Sequence, residues 1–166
     1  MQDNNNSHSP YANADKLLQL GVMAMHPYRC VTPVQVRYTD YDMQGHVNNS
    51  IYFNFFDLAK MDYFKKVRGN FKWEDASVVV ASMKSDYLAP TFYYQDVEVE
   101  TQVLRLGHKS LTLLQQLVDI DTREVKCVCQ TVMVNIDPVT QKPSPLSQQW
   151  RDAICRYEQR DLSTEQ

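Results

Sequence analysis

Residues 38–69 read YTDYDMQGHVNNSIYFNFFDLAKMDYFKKVRG, and this stretch specifies most of the architecture of the chain. The first part of this stretch sets two carboxylates, a glycine, a histidine and two asparagines close together, and the remainder is strongly apolar. Buried polar groups need hydrogen-bond partners, so the polar part is poor material for a core. A loop that leads into a helix, in contrast, brings such side chains next to unpaired backbone amides. The pattern therefore predicts a functional site at this junction.

Residues 50–68 are predicted to form one long helix that ends at Gly69. Apolar side chains recur at spacings of three and four along one stripe, and further apolar residues widen it. The stripe consists of Tyr52, Phe56, Ala59, Tyr63 and Val67, widened by Ile51, Phe55, Leu58 and Met61. Ser50 is predicted to be the N-cap. Because only a narrow face is polar, we expect the helix to be largely enclosed.

Most of the remaining sequence reads as strand. Residues 32–38 alternate, with Val34, Val36 and Tyr38 on one face. Further strands are predicted at 78–88, 96–106, 110–120 and 125–137, and further helices at 15–25 and 146–159. In the predicted strand at 96–106, the alternation of apolar and polar residues shifts by one position at Leu104, which predicts a bulge. One long helix with antiparallel strands indicates an α+β fold in which a curved sheet wraps a single helix.

Length and charge narrow the class of protein. The chain has 166 residues, which suits one domain, and its net charge of −3 does not fit the clustered basic face of a nucleic-acid-binding protein. No apolar run approaches the roughly 20 residues that span a bilayer. Residues 17–25 are apolar, but Lys16 is the sole preceding basic residue and no cleavage signal follows. We therefore expect a cytoplasmic protein without a signal peptide.

The four cysteines predict neither a disulfide framework nor a zinc site. Cys127 and Cys129 are two positions apart in an apolar run, so on a strand they share one face and cannot form a standard bridge. Cys30 and Cys155 are isolated in the sequence. Reduced and mostly structural thiols are the expectation.

The junction resembles a known family. YTDYDMQGHVNN at 38–49, followed by Tyr52 and by FDLA at 56–59, is similar to the hot-dog-fold thioesterases related to 4-hydroxybenzoyl-CoA thioesterase. Further similar segments are DYLAP at 86–90, LGHKS at 106–110 and KP at 142–143. The resemblance implies a hot-dog fold, acyl-CoA thioesterase activity without a cofactor, and a homodimer or homotetramer with sites at a subunit interface.

Carried over to this sequence, the resemblance makes Asp42 the catalytic carboxylate, acting as nucleophile or as general base. By position, Asn49 supplies a backbone amide to the carbonyl oxygen of the substrate. His46 is a further candidate, which could polarise the substrate or orient a partner, with a purely structural histidine as the alternative. Asp40 is expected to be mainly structural. Asp57 stands where relatives often carry a glutamate, and its shorter side chain makes a catalytic role doubtful.

The implied chemistry agrees with elementary principles. A carboxylate with a reference pKa of about 3.9 is ionised at neutral pH and can attack a thioester or activate water. Unpaired amides at a helix N-terminus suit a developing negative charge, and Gly45 allows a sharp turn. From spacing alone, Asp40 and Asp42 could equally be turn residues. With His46 they could be pictured as metal ligands, but no further histidine has suitable spacing, so no metal is expected.

Coenzyme A carries phosphates, which predicts cations at its binding surface. Arg105 and Lys109 flank the turn in the LGHKS segment, whose last residue is Ser110, and these three residues are candidates for binding coenzyme A. The alternative is that the segment is simply the solvated end of a hairpin. Tyr52 could line an acyl pocket along the helix, although aromatic residues at helical spacing are usually core.

The predicted organisation is a flexible leader at 1–30, a hot-dog domain at 31–160 and a C-terminal tail at 161–166. The leading function is hydrolysis of an acyl-CoA thioester to a free acid and coenzyme A. An alternative is a non-catalytic module of the same fold that binds acyl-CoA or acyl-carrier protein without hydrolysing a thioester. A hot-dog dehydratase or hydratase is a third possibility, but its histidine–acid motif is not found. The type of acyl group is left open by the sequence.

Overall fold

The computed structural model describes residues 27–69 and 77–162. Within these ranges the chain forms five strands and two helices: β1 (Cys30–Val34), α1 (Asn49–Arg68), β2 (Val78–Tyr87), β3 (Val97–Leu106), β4 (Ser110–Asp119), β5 (Val125–Asn135) and α2 (Gln148–Glu158). The predicted helix at 15–25 and most of the predicted leader lie outside the described residues. Neither described helix is long and apolar enough to cross a membrane.

The strands form a single antiparallel sheet in the order β1-β3-β4-β5-β2. Side chains from β1, β3, β4 and β5 pack on the N-terminal half of α1, which confirms the predicted α+β class. β2 lies at one edge of the sheet and pairs with β5. The pairing of β3 with β4 shifts register between Val103 and Arg105, so the bulge predicted at Leu104 is confirmed.

The start of α1 differs by one residue from the prediction. Asn48, not Ser50, is the N-cap, because its ψ of 137° is not helical and its Oδ1 accepts a hydrogen bond from the Ser50 amide at 3.0 Å. Asn49 is therefore the first helical residue. At the other end Gly69 stops the helix as predicted, and its amide donates to the Lys65 carbonyl at 2.9 Å.

α1 is less enclosed than its composition predicts. Tyr52, Phe56, Ala59 and Tyr63 of the predicted stripe are buried, but Leu58 is 54 % exposed. Successive helical residues are about 100° apart, so Leu58, four residues after Asn54, lies on the same polar face as Asn54. The prediction that Leu58 widens the buried stripe is therefore wrong.

The first strand is shorter than predicted. β1 ends at Val34, and Tyr38 begins a short 3-10 turn in which its side chain is 94 % exposed. The Arg37 amide donates to Oδ2 of Asp40 at 2.7 Å, and the Asp40 amide donates to the Arg37 carbonyl at 3.0 Å. These two bonds bend the backbone into a turn and end the extended conformation.

All four cysteines lie in the described part of the chain. Cys30, Cys127 and Cys129 are free and fully buried, and Cys155 is free and partly buried. Cys127 and Cys129 contribute to the core cluster beneath the N-terminal half of α1.

Candidate active site

The loop before α1 is held at its base by Asp40. This carboxylate is buried, and its Oδ2 accepts the Arg37 amide, while its backbone carbonyl accepts the Asn48 amide at 2.8 Å. The latter bond joins the start of the loop to the N-cap of α1. Asp40 therefore has the structural role predicted for it.

Asp42 lies at the tip of the same loop, in a closed turn. Its Oδ1 accepts the Gln44 amide at 2.8 Å and the His46 amide at 3.4 Å, and its own amide donates to the His46 carbonyl at 2.9 Å. Gly45 closes the turn with a φ of +75°, a conformation that favours glycine. The structure gives Oδ2 of Asp42 no hydrogen bond from residues 27–69 or 77–162. One carboxylate oxygen thus holds the turn and the other is available for chemistry.

Asp42 lines two clefts. The first, which we call the helix cleft, has a volume of about 370 Å³ and is lined by Asp42, His46, Val47, Asn49, Tyr52, Tyr87, Leu88, Ala89 and Pro90. The second, the tyrosine cleft, has a volume of about 540 Å³ and is lined by Val36, Tyr38, Tyr41, Asp42, Gly45 and Tyr93. The carboxylate lies where the two meet, so a ligand on Asp42 can extend in either direction.

The helix cleft contains the backbone amide predicted to bind an oxyanion. The neighbouring amides are all occupied: Asn48 donates to Asp40, Ser50 to the Asn48 side chain, and Ile51 to the Asn48 carbonyl. The Asn49 amide has no intrahelical acceptor because it is in the first turn. No other acceptor for it lies within the described part of the chain. Asn49, whose amide is free at the positive end of α1, therefore lines the same cleft as Asp42.

His46 also lines the helix cleft. Its ring packs edge-on against Phe92, with ring centroids 5.1 Å apart. Its backbone holds Asp42 through two hydrogen bonds. No hydrogen bond to the imidazole comes from the parts of the chain that the structure describes. The ring is positioned by packing and keeps both nitrogens available to a ligand.

Two tyrosines connect the helix cleft to the end of β2. The hydroxyl of buried Tyr52 donates to Oγ1 of Thr91 at 2.9 Å, and the Thr91 carbonyl accepts the Val47 amide at 2.9 Å. The Tyr87 hydroxyl donates to the Asn49 carbonyl at 3.0 Å, and its ring meets Tyr52 edge-on. Burial raises the pKa of both phenols, so both stay protonated and donate at neutral pH. Tyr52 thus supports the cleft wall from the core side.

The other predicted substrate contacts lie elsewhere in the single chain. Arg105, Lys109 and Ser110 are at the β3–β4 turn, and none of them lines either cleft. This turn is flanked by Leu106 and Leu111, which pack in the core cluster at the C-terminal end of α1. A helix of this length spans about 30 Å, so the structure does not bring these residues to Asp42.

The LGHKS segment has a local structural explanation. The Gly107 amide donates to the Ser110 carbonyl at 2.8 Å, and a Cβ on Gly107 would approach Oγ of Ser110 to 2.9 Å. A side chain at position 107 would displace the Ser110 hydroxyl, so the glycine has a local explanation that involves no ligand.

Sequence reasoning missed three site residues. Tyr87 and Thr91 were not predicted to act, although Tyr87 belongs to the DYLAP segment and Thr91 follows it directly. Tyr93 was missed as well, because a loop residue without periodicity gives no sign of the cleft that it lines. Within residues 27–69 and 77–162, no three His, Cys, Asp or Glu side chains are placed to hold a metal ion.

Comparison with known proteins gives a consistent set of relatives. The family model described as the thioesterase-like superfamily matches residues 36–154. The chain is 26 % identical over 117 residues to the acyl-CoA thioester hydrolase YbgC of Escherichia coli O6:H1, covering 69 % of this chain and 87 % of YbgC. It is 35 % identical over 80 residues to the uncharacterized protein YsmA of Bacillus subtilis, covering 48 % of this chain and 54 % of YsmA, so the match spans about half of that relative.

A similar solved structure is a thioesterase from Thermus thermophilus complexed with coenzyme A and Zn. The TM-score is 0.75 at 30 % identity, and the superposition covers 83 % of this chain and all of that one. The PA5185 protein of Pseudomonas aeruginosa gives a TM-score of 0.67 at 30 % identity, covering 84 % of this chain and 95 % of that protein.

Proposed function

Since this chain belongs to the thioesterase-like superfamily and has its hot-dog fold, we propose that it hydrolyses an acyl-CoA thioester to a free acid and coenzyme A. Membership of the family makes it a thioester hydrolase. The choice of substrate is supported by YbgC, which is named as an acyl-CoA thioester hydrolase, and by the Thermus thioesterase, which binds coenzyme A.

The observation that carries the proposal is the shared cleft of Asp42 and the free Asn49 amide. Thioester hydrolysis requires a nucleophile or an activated water on one side of the carbonyl carbon and a donor for the carbonyl oxygen. Oδ2 of Asp42 supplies the first requirement, since Oδ1 is held by two backbone amides. The Asn49 amide and the dipole of α1 supply the second.

Asp42 acts through the same oxygen in either of two routes. As nucleophile, Oδ2 attacks the carbonyl carbon, the coenzyme A thiolate leaves, and water hydrolyses the resulting mixed anhydride. As general base, Oδ2 takes a proton from water as the water attacks the carbonyl carbon, and the coenzyme A thiolate leaves. Single-turnover hydrolysis in the presence of hydroxylamine, followed by mass spectrometry of the quenched protein, separates the routes, because the first forms a trappable acyl-Asp42 anhydride and the second forms no covalent intermediate.

The remaining residues of the helix cleft support this reaction. The His46 backbone fixes Asp42, and its unpartnered imidazole is placed to contact the thioester. Gly45 permits the turn that aims the carboxylate. Tyr52 holds the cleft wall, and Tyr87 fixes the peptide that follows the Asn49 amide.

We further propose that the active unit is a homodimer or a homotetramer. The Asp42 side chain is exposed in the single chain, which leaves the reaction poorly shielded from water. β2 is an edge strand, and Val79 and Val80 on it are 49 % and 43 % exposed. A second copy could cover both features, and could bring its own Arg105 and Lys109 towards the coenzyme A phosphates. Light scattering of the purified protein measures the state directly.

The central experiment measures hydrolysis of a panel of acyl-CoA esters by the wild type and by Asp42→Asn. Asparagine keeps the Oδ1 acceptor that holds the turn but cannot attack or take a proton, so kcat is expected to fall by at least about 10²-fold. Asp57→Asn is the matched control, because Asp57 is an exposed α1 carboxylate paired with Lys60 at 2.5 Å. Equal activity in wild type and Asp42→Asn would remove Asp42 from the mechanism. Tight binding of acyl-CoA analogues without any hydrolysis would favour a binding module.

A further inference from the structure

Exposed aromatic side chains line the tyrosine cleft. Tyr38 and Tyr93 line it and are 94 % and 75 % exposed, and Tyr41 forms its partly buried side. Aromatic side chains that are exposed together around a cleft are a common feature of ligand-binding grooves. The cleft opens directly onto Asp42, so its occupant must be close to the reacting carbonyl.

The Tyr93 ring is held in position rather than free to move at the end of a loose loop. It meets Tyr41 edge-on, with ring centroids 6.2 Å apart. The turn that carries it is closed by two bonds, from the Phe92 amide to Oε1 of Gln95 at 2.8 Å and from the Gln95 amide to the Phe92 carbonyl at 3.1 Å. A wall fixed in this way loses little conformational entropy when a ligand packs on it.

The chemistry of the substrate limits what the cleft can hold. The adenine of coenzyme A is separated from the thioester by pantetheine and a diphosphate, so it cannot occupy a cleft that opens at Asp42. Val36 and the rings of Tyr38, Tyr41 and Tyr93 form most of the wall of this cleft, and its polar groups are the phenol hydroxyls and the Asp42 carboxylate. Ring surface beside the reacting carboxylate suits the acyl arm. Edge-to-face contacts with tyrosine rings favour a planar aromatic group over an aliphatic chain.

Building on the proposed thioesterase function, we propose that the tyrosine cleft is the acyl subsite, with Tyr93 as its specificity-determining residue. The enzyme then selects aromatic acyl groups, and the pantetheine arm leaves through the helix cleft on the other side of Asp42.

The experiment compares kcat/KM for benzoyl-CoA and hexanoyl-CoA, which differ in shape more than in size. The wild type is expected to favour the benzoyl ester. Tyr93→Leu keeps an apolar side chain but removes the ring, and is expected to lower the benzoyl-to-hexanoyl ratio by about three- to tenfold, the size of one aromatic contact. Tyr93→Phe keeps the ring and is expected to keep the ratio.

Tyr94→Leu is the matched control. Tyr94 is the next residue in the turn and meets Tyr93 edge-on at 5.5 Å, but it does not line the cleft. A loss caused by a disturbed turn would appear in both leucine variants, whereas a loss of acyl recognition appears in Tyr93→Leu alone. An unchanged ratio in Tyr93→Leu, an equal change in Tyr94→Leu, or a wild type that favours hexanoyl-CoA would overturn the proposal.

A binding measurement separates this inference from the proposed function. Calorimetric titration with S-benzyl-CoA and S-hexyl-CoA, which have no thioester to hydrolyse, gives the same selectivity as a ratio of Kd values. If the wild type hydrolyses neither ester but binds the benzyl analogue more tightly through Tyr93, the thioesterase function fails and the aromatic subsite stands. If hydrolysis is found and Tyr93→Leu changes neither ratio, the thioesterase function stands and the aromatic subsite fails.

Discussion

Replacing Asn49 by proline tests the oxyanion donor without touching any side chain of the mechanism. Proline has no amide hydrogen, so the substitution removes the one group assigned to the carbonyl oxygen. It also fits the backbone: Asn49 is the first residue of α1, where proline is well tolerated. Asn48 has a ψ of 137°, within the range of about +120 to +160° that a residue before proline prefers.

The expected loss follows from the hydrogen-bond pattern. The amides of Asn48, Ser50 and Ile51 are already occupied, so no neighbour can replace the missing donor without breaking a bond at the cap. Loss of one oxyanion donor typically lowers kcat by about 10²- to 10³-fold, or about 2.7–4 kcal/mol. We expect a loss of this size with KM and thermal stability close to those of the wild type.

The assay is steady-state hydrolysis of the best acyl-CoA ester, with thermal unfolding followed in parallel. Asn49→Ala is the matched control, since it shortens the side chain and keeps the amide, and it should retain nearly full kcat. One oxyanion donor contributes far more than a factor of about three to kcat. If Asn49→Pro is folded and its kcat lies within about threefold of the wild-type value, the Asn49 amide does not stabilise the transition state.

Two further predictions concern the supporting wall and the phosphates. Thr91→Val leaves the buried Tyr52 hydroxyl without its acceptor and should lower the free energy of unfolding by about 1–3 kcal/mol. Adding Tyr52→Phe removes the unpaired hydroxyl and should recover much of that loss. If thermal unfolding shows that the losses of the two single variants simply add, the two side chains are not coupled. Replacing Arg105 and Lys109 together by alanine should raise KM for an acyl-CoA by roughly two- to tenfold and leave KM for the matching acyl-N-acetylcysteamine unchanged. Equal changes for the two substrates would show that these cations do not contact the phosphates.

The elements and their order could be predicted from the amino-acid sequence alone. The stripe in α1, the alternation in the strands and the parity shift at Leu104 are periodic patterns along the chain, and they report which side of an element is apolar. The resemblance around Asp42 and Asn49 likewise depends on residues close together in sequence. The cap was misplaced by two residues, because Asn48 and Ser50 are both good capping residues and the backbone conformation selected between them.

Which residues meet in space depends on the tertiary structure. Tyr87, Thr91 and Tyr93 reach the loop of Asp42 only because the end of β2 and the turn after it pack beside α1. Arg105 carries the charge that a phosphate needs, yet its turn lies at the other end of the sheet within one chain. A local pattern fixes the direction of a side chain on its own element, whereas the distance between two elements depends on how the whole core packs.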